Sequence, residues 1–277
     1  MRPRAARLIA SRAREPVAFH ATYAAVAEAM DADAEPVVVW GRVPPHLCLG
    51  QSQTLADVRP GTAERVVRRP LGGGAVWVDR DQVSYAIVAP LAFAPGRPEQ
   101  WYSWALAPAL ETFRAFGLRA QRRGEDLWMH DRKIAGSGAA TIGRAAVVAS
   151  SFLMRFPRDR FAECVAVPSE AFRATLRGTL PRAMTDWSEH GIPPTEDALK
   201  RAFVDALRST LGWHVSPSRL RGPERARWAE WHAELSEPVE SGRAPRVHDG
   251  LKLNAAMFLR QRGDTVTVEA TDGGNAR

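Results

Sequence analysis

The stretch RRPLGGGAVWVDRDQVSYAIV, residues 68–88, sets three consecutive glycines between an arginine pair and a run of β-type residues. Residues 83–88 alternate with a period of two, which predicts a strand after the glycine loop. Glycines lack a Cβ, so the backbone N–H groups of such a loop can approach an anionic or extended ligand closely. A plain glycine-rich hairpin and a phosphate cradle both fit the loop alone. Arg68 and Arg69 before it and Asp79 after it favour a ligand site.

A second informative stretch is RKIAGSGAATIG, residues 132–143, which sets Lys133 beside a run of small residues. Small side chains can line a narrow slot that admits a nucleotide or an acyl chain. A tight strand pair packed under a helix is the alternative interpretation. The preceding residues EDLWMHD predict a hairpin that turns at His130–Asp131.

Lysine is nearly absent from this basic chain. Of 38 basic residues, only Lys133, Lys200 and Lys252 are lysine, and all the others are arginine. Guanidinium is a permanently charged planar fork, whereas ammonium is a compact point charge whose pKa can move. A lysine that is kept where arginine is the default is a candidate for a role that arginine cannot perform, although chance also spares some positions.

The composition is that of a globular, enzyme-sized protein. A chain of 277 residues with 45% hydrophobic content can bury a full core. No run approaches the roughly 20 consecutive apolar residues that a membrane span needs. The arginine-rich start, residues 1–15, lacks the apolar centre of a secretory signal. It suits a transit peptide or a short disordered basic tail, and we take the second interpretation and expect a cytoplasmic protein.

The charge and the cysteines restrict the partners and cofactors. A net charge of +7 favours an acidic partner, which could be a protein domain, a nucleotide or nucleic acid. Cys48 and Cys164 are too few for a disulfide framework or a zinc knuckle, so we expect no permanently bound cofactor. Cys48 is expected to pack as a small buried hydrophobe. Cys164 is expected to pack on a short helix, with a nucleophilic role as the alternative.

Periodicity and end signals predict the other elements of the chain. Helices are expected over residues 19–30, 108–116 and 195–212, the last with Thr195 as N-cap and Gly212 at its end. Strands are expected over residues 37–40, 46–50, 251–259 and 265–270. Residues 236–245 have the Glu, Pro, Ser, Gly and Arg content of a linker.

Four motifs in order resemble those of the lipoate-protein ligases. RRPLGGGAVWVD, QVSYAIV, EDLW and RKIAGSGAATIG correspond to an arginine pair with G-G-G-A-V and H-D, then N-L-N-Y, N-D-L and K-I-S-G-S-A. The resemblance spans residues 19–212. It differs at Val78, where the family usually has histidine, and at Glu125, where it has asparagine.

This resemblance implies an α/β (α+β) fold with a mixed sheet flanked by helices, as in class II aminoacyl-tRNA synthetases and biotin ligases. It divides the chain into a basic tail (1–16), a catalytic domain (17–235) and a linker with a short C-terminal β appendage (236–277). Family members use ATP and Mg²⁺ to convert lipoate or octanoate to an acyl-adenylate. They pass the acyl group to a lysine of an apo-lipoyl carrier domain, such as a 2-oxoacid dehydrogenase E2 or a glycine cleavage H-like protein.

The resemblance also assigns roles to residues. Lys133 is the expected catalytic and nucleotide-binding residue, and Asp126 is expected near the nucleotide and its Mg²⁺. The expected acyl-binding residues surround the two glycine-rich stretches: Arg69, Gly72, Gly73, Gly74, Ala75, Gly136 and Ser137.

Two other functions remain open from the sequence. One is an ATP-independent octanoyl or lipoyl transferase that uses Cys164, 31 residues after Lys133, as its nucleophile. The other is a non-catalytic binding or regulatory module. Nucleic acid is an unlikely partner, because no helix-turn-helix precedes the glycine loop and the basic residues form no dense patch. The tail from Arg246 faintly resembles the start of the ligases' accessory domain, which leaves an accessory subunit open as a partner. A β-hairpin docked on the catalytic domain is the favoured interpretation of this tail.

Overall fold

The computed structural model describes residues 4–11, 13–245, 247 and 250–270. The strands in chain order are β1 (Arg4–Ala10), β2 (Val37–Gly41), β3 (His46–Leu49), β4 (Val66–Arg68), β5 (Val76–Val78), β6 (Gln82–Pro90), β7 (Gln121–Arg123), β8 (Asp126–Met129), β9 (Arg132–Ala135), β10 (Ser137–Ile142), β11 (Ala145–Leu153), β12 (Trp213–Ser218), β13 (Gly250–Asn254), β14 (Met257–Arg262) and β15 (Thr265–Ala270). The helices are α1 (Pro16–Glu28), α2 (Pro98–Ala105), α3 (Ala107–Ala115), α4 (Arg158–Cys164), α5 (Glu170–Ala183), α6 (Glu196–Leu211) and α7 (Gly222–Ser236). Among the described residues, no helix is long and apolar enough to cross a bilayer.

A mixed six-stranded sheet forms the centre, in the order β10-β11-β6-β2-β1-β12. Strand β1 is parallel to both of its neighbours, whereas β2, β6, β11 and β10 pair in antiparallel fashion. Three smaller three-stranded sheets surround it, in the orders β4-β3-β5, β7-β8-β9 and β13-β14-β15. The first two of these sheets carry the residues on either side of the glycine loop and the residues around Lys133.

Helices cover both faces of the central sheet. Trp40 and Tyr85 point to one face, where they pack against Phe203 of α6. Their neighbours along the two strands, Val39 and Ala86, point to the opposite face and join the core beneath α1. This alternation follows from the pleat of a strand. Helix α3 packs on α6, and α7 packs on α1.

The clearest predicted helix is confirmed with both of its ends. Thr195 caps α6, since its Oγ1 accepts a hydrogen bond from the Ala198 N–H at 3.3 Å. Gly212 ends the helix in the left-handed region at φ 69°, which glycine adopts without steric cost. The predicted inner face of the helix is buried: Leu199, Phe203, Leu207 and Leu211.

Other predicted elements are confirmed with small shifts of their ends. Helices α1 and α3 match the predictions for residues 19–30 and 108–116, and β2 and β3 match those for residues 37–40 and 46–50. The hairpin of β8 and β9 turns where predicted, with His130 at φ 53°. Helices α2, α5 and α7 were not predicted.

The prediction of a disordered basic tail is wrong over residues 4–10, because Arg4–Ala10 is an interior strand of the central sheet. Ala6 and Leu8 are buried in its core. The charge of Arg7 between them is neutralised by Glu224 of α7, with Nη1 2.6 Å from Oε1. Residues 1–3 and 12 of the predicted tail lie outside the described residues.

The C-terminal appendage contains three strands where the sequence predicted two β segments. The expected segment over residues 251–259 is divided between β13 and β14. The predicted linker is held to the body of the protein, since the Leu55 N–H donates to the Glu240 carbonyl at 2.8 Å. Residues 271–277 lie outside the described residues, and the division into domains stays a prediction.

His46 makes the stability of the fold depend on pH. It is fully buried in β3, and its Nδ1 donates to the Pro44 carbonyl at 2.8 Å. Burial lowers the pKa of His46 from 6.5 to about 4. Between pH 6.5 and about 4, His46 is therefore protonated in the unfolded chain but neutral in the folded one. We expect this residue to lower the free energy of unfolding by up to about 3 kcal/mol as the pH falls from near 6.5 to 4.

Urea unfolding of the wild type and of His46→Gln at several pH values checks this expectation. Other groups also titrate in acid, so the comparison between the two proteins isolates His46. The stability of His46→Gln should depend less steeply on pH than that of the wild type. Parallel pH profiles for the two proteins would contradict the prediction.

Candidate active site

Lys133 and Asp126 form an ion pair on neighbouring strands. Lys133 lies on β9 opposite Trp128 of β8, and Asp126 begins β8. The Lys133 Nζ lies 2.8 Å from the Asp126 Oδ1, and the two side chains are 18% and 7% exposed. The carboxylate is therefore enclosed, while the ammonium retains access to solvent.

Two opposing effects act on the Asp126 carboxyl. Burial is the larger effect and raises its pKa, whereas the charge and hydrogen bond of Lys133 lower it. The Glu125 carboxylate next to it raises the pKa further. Removing Lys133 would therefore leave a poorly solvated carboxylate with a like charge beside it, a costly arrangement.

Small residues after β9 leave room for the lysine side chain. A Cβ on Gly136 would lie 3.1 Å from both Cε and Nζ of Lys133, so even alanine at this position would require the end of the lysine side chain to shift slightly. The Gly136 carbonyl accepts a hydrogen bond from Ser150 Oγ at 2.8 Å. Ser137 Oγ donates to the Glu125 carbonyl. Gly136 and Ser137 are thus held beside the ion pair, and their contact with an acyl chain stays a prediction.

The backbone of Lys133 is also fixed from its other side. Its carbonyl accepts a hydrogen bond from the Thr185 N–H at 2.8 Å. Met184 forms an isolated parallel bridge with it. Met184 and Thr185 directly follow α5, so the end of this helix helps to hold the backbone of Lys133 in place.

Arg69 supports the glycine loop from beneath. Its Nη2 donates to the carbonyls of Gly72 and Gly74 at 2.8 and 2.9 Å, and its Nη1 donates to the Cys48 carbonyl at 3.2 Å. The residue is buried. Gly73 lies between the two bonded glycines at φ 95°, a conformation that favours glycine. Contact of Arg69 with an acyl chain stays a prediction, since its donors are engaged by the loop.

The glycine loop meets the Lys133 region across β10. The Gly72 N–H donates to the Ala139 carbonyl at 3.4 Å. A Cβ on Gly138 would lie only 2.9 Å from the Gly72 carbonyl oxygen. Because Gly138 is two residues after Gly136, the two glycine-rich stretches that the sequence singled out form one site.

Tyr102 of α2 is a residue of this site that the sequence analysis missed. Its pKa is raised by burial and then by the nearby Glu125 carboxylate, whereas a hydrogen bond donated to its oxygen by the Ala139 backbone acts in the opposite direction. No local pattern connects a tyrosine in WYSW with the strand beside the glycine loop, so only the tertiary fold identifies it.

Ala75 and Asp79, on either side of β5, contact other parts of the fold. Ala75 packs against the apolar cluster that contains Leu47 and Leu49. The Asp79 carboxylate accepts hydrogen bonds from Trp77 Nε1 at 2.7 Å and from the Asp81 N–H at 2.8 Å. Asp79 therefore closes the turn before β6, and direct binding of a ligand by Ala75 stays a prediction.

Both cysteines are buried. Cys48 is 1% exposed in the core, as predicted, and its Sγ lies 3.7 Å from His20 Nε2 and from Arg69 Nη1. Cys164 is 3% exposed at the end of α4. Burial is the largest cause of its raised pKa, with a further contribution from Glu64. A raised pKa disfavours the thiolate that a nucleophile needs.

Solved structures with the same fold are lipoate-protein ligases. The bi-partite lipoate protein ligase of Thermoplasma acidophilum, studied with its E2 lipoyl domain, is 16% identical with a TM-score of 0.75 over 84% of this chain and 93% of its own. A lipoate-protein ligase A bound with ATP is 16% identical, with a TM-score of 0.72 over 84% and 95%. P. falciparum LipL1 in complex with lipoate is 14% identical, with a TM-score of 0.65 over 96% and 86%. The predicted fold class is confirmed.

The family itself is shown by the sequence match. The model of the lipoyl protein ligase A/B catalytic domain matches residues 16–208, and this chain belongs to that family. None of the curated proteins matches the chain. The resemblance carried by the four motifs is confirmed, and the roles of individual site residues stay predictions.

Proposed function

We propose that this protein is an ATP-dependent ligase that attaches lipoate or octanoate to a carrier domain. A carboxylate oxygen of the acid attacks the α-phosphorus of ATP, and pyrophosphate leaves. The amine of a carrier lysine then attacks the acyl carbon of the adenylate, AMP leaves, and the amine loses a proton. The observation that supports this most strongly is the Lys133–Asp126 pair at 2.8 Å beside the glycine loop.

Lys133 is the proposed catalytic residue. Its ammonium is held by a single carboxylate and keeps some solvent access, so it can exchange Asp126 for the oxygens on which negative charge develops. A point charge aimed at those oxygens stabilises the transition state more than the ground state. Gly136 leaves the space in which this movement takes place.

The glycine loop is the proposed acyl and phosphate contact. Arg69 fixes the carbonyls of Gly72 and Gly74 on the inner side. The positions Gly72, Gly73 and Gly74 carry no side chain that would keep a ligand away from the backbone. A loop held in one shape binds its ligand without first losing its own conformational entropy.

ATP is the proposed second substrate, and a lipoate-protein ligase A of the same fold was solved bound with ATP. Mg²⁺ prefers oxygen ligands and is commonly held by one or two carboxylates together with substrate phosphates. The Glu125 carboxylate is close enough to Asp126 to raise the pKa of Asp126. They are chemically suited to hold a Mg²⁺ that the nucleotide brings, which would neutralise charge on the departing pyrophosphate.

The proposed acyl acceptor is an apo-lipoyl carrier domain in the cytoplasm, either a 2-oxoacid dehydrogenase E2 or a glycine cleavage H-like protein. The Thermoplasma ligase of the same fold was studied with its E2 lipoyl domain. The net charge of +7 on this chain suits an acidic partner. The accessory subunit stays a prediction.

Mass spectrometry of the carrier tests the proposal against the transferase alternative. The protein is incubated with an apo E2 lipoyl domain, Mg²⁺ and either ATP with lipoate or octanoyl carrier protein without ATP. Because adenylate chemistry needs no thiol, we expect acylation only with ATP. Cys164→Ser should retain activity within about threefold of the wild type, since serine is close in size to a buried cysteine.

The transferase alternative gives the opposite pattern. It predicts acylation from octanoyl carrier protein without ATP, no activity in Cys164→Ser, and a hydroxylamine-sensitive acyl adduct on the wild type. Observing these together would refute the ATP-dependent ligase. Cys48→Ser is not a suitable control, because Cys48 contacts Arg69.

A further inference from the structure

Two histidines and a cysteine meet in the core between α1 and β3. His46 and Cys48 lie two residues apart on β3 and therefore point to the same face of that strand. His20 reaches them from α1. One ring nitrogen of each histidine and the Cys48 Sγ all lie within 4.8 Å of one another. All three residues are buried, with His20 the most exposed at 6%.

The His46 ring has a nitrogen that is available for coordination. Its Nδ1 lies 2.8 Å from the Pro44 carbonyl, which can only accept, so the ring proton is on Nδ1. Nε2 therefore carries a lone pair. It is buried and has no hydrogen-bond partner among the residues that the structure describes. Buried polar atoms are nearly always paired, and a neutral imidazole nitrogen is the commonest metal ligand in proteins.

His20 has the same arrangement. Its Nδ1 lies 3.1 Å from the Tyr23 hydroxyl, and its Nε2 lies 3.7 Å from Cys48 Sγ. A metal-binding histidine usually has its other ring nitrogen held by a hydrogen bond in this way. Bonds of about 2.0 Å to nitrogen and about 2.3 Å to sulfur, at about 120° to each other, place the two ligand atoms about 3.7 Å apart. His20 and Cys48 therefore have the spacing of a three-coordinate site.

The charge beside the cluster favours a monovalent ion. The buried Arg69 guanidinium has its Nη1 3.7 Å from Cys48 Sγ. A divalent ion on a single thiolate would add a net positive charge next to this arginine, which is costly in the core. Cu(I) instead replaces the thiol proton: Cys–SH and Cu⁺ give Cys–S–Cu and H⁺, so the charge of the buried group is unchanged. Thiolate and imidazole both suit Cu(I).

We propose that His20, His46 and Cys48 form a buried, three-coordinate Cu(I) site. This site differs from the expectation, drawn from the sequence, of no permanently bound cofactor. The spacing of the three residues along the chain could not reveal it, because one ligand comes from α1 and two come from β3. The site is independent of the proposed acyl transfer, and the pH dependence of stability expected from His46 applies to the metal-free protein.

Metal analysis after refolding tests this site. Because the three ligands are buried, the protein is unfolded in urea and refolded without oxygen in the presence of Cu(I), and a Cu(I) chelator then removes loosely held copper. We expect one copper ion per chain in the wild type. Cys48→Ser should lose at least about nine-tenths of this copper, since a hydroxyl is a poor ligand for a soft ion. Cys164→Ser changes the other buried cysteine and is the matched control, which should retain copper as the wild type does.

Circular dichroism of each refolded protein ensures that the copper contents of folded chains are compared. A wild type that retains no copper, or equal copper in the wild type and Cys48→Ser, overturns the proposal. Refolding with Zn²⁺ in place of Cu(I) tests the preference for a monovalent ion, and retention of Zn²⁺ but not Cu(I) also overturns the proposal.

X-ray absorption of the copper-loaded wild type gives a test that needs no variant. We expect one sulfur at about 2.3 Å from the copper and two imidazole nitrogens at about 2.0 Å. A copper ion with two sulfur ligands, or with none, contradicts the assignment even if Cys48→Ser does not fold.

Discussion

Lys133→Arg should lose nearly all acyl transfer, at least about a hundredfold in kcat, while its unfolding transition stays close to that of the wild type. Arginine keeps the positive charge but replaces a compact ammonium with a longer planar fork. The space next to Lys133 Nζ is limited, since even a Cβ on Gly136 would lie 3.1 Å away. The fork can still pair with Asp126, but it cannot take the position of the ammonium at the reacting oxygens.

The measurement is the rate of carrier acylation under saturating ATP and lipoate, with thermal unfolding as the check on folding. Lys200→Arg is the control, because Lys200 is partly exposed and its carboxylate partner is on the same helix. Retention of more than about a tenth of the wild-type rate in Lys133→Arg would refute the proposed need for an ammonium.

Arg69→Met should weaken both the fold and ligand binding. The substitution keeps a long apolar stem but leaves the carbonyls of Cys48, Gly72 and Gly74 without their donor. Leaving the buried Cys48 carbonyl and the two part-buried loop carbonyls unpaired, together with the lost packing of the arginine in the core, should lower the free energy of unfolding by about 3 kcal/mol. The glycine loop should also lose its fixed shape, which raises the KM for lipoate or ATP.

Arg68→Met is the matched control for this substitution. Arg68 is the other member of the arginine pair, but it is partly exposed. It forms an ion pair with Glu240, with Nη2 3.7 Å from Oε1. Surface ion pairs of this kind contribute little, so the control should unfold in urea as the wild type does. Equal stability and equal KM in the Arg69 and Arg68 variants would mean that the loop does not depend on Arg69.

The elements that could be predicted from the sequence have local signals. The alternation in residues 83–88 predicts β6, and the apolar stripe between Thr195 and Gly212 predicts α6 with both of its ends. The two glycine-rich stretches and Lys133 could be selected as a site because composition and motif order both single them out.

The features that could not be predicted depend on distant parts of the chain. From its composition, Arg4–Ala10 is indistinguishable from a solvated tail. Arg7 can be buried only because Glu224, far away in sequence, pairs with it. The sequence around Arg69 predicted a ligand-binding arginine. Its guanidinium instead donates to carbonyls of β3 and of the glycine loop. Tyr102 lies near the glycine-rich strand β10 only through the packing of α2 against it. In each case the decisive contact is a tertiary one.

The place of β1 in the sheet has a consequence for biosynthesis. During translation this strand is made before both of its partners. One of them, β12, consists of residues 213–218, much later in the chain. The other edge of β1 is covered much earlier, by residues 37–40 of β2. Until the later partner emerges, a strand with buried Ala6 and Leu8 has an open edge, and unpaired edges of this kind promote aggregation. The arginines in this strand then serve a second purpose, since charge on an open edge discourages pairing with other nascent chains.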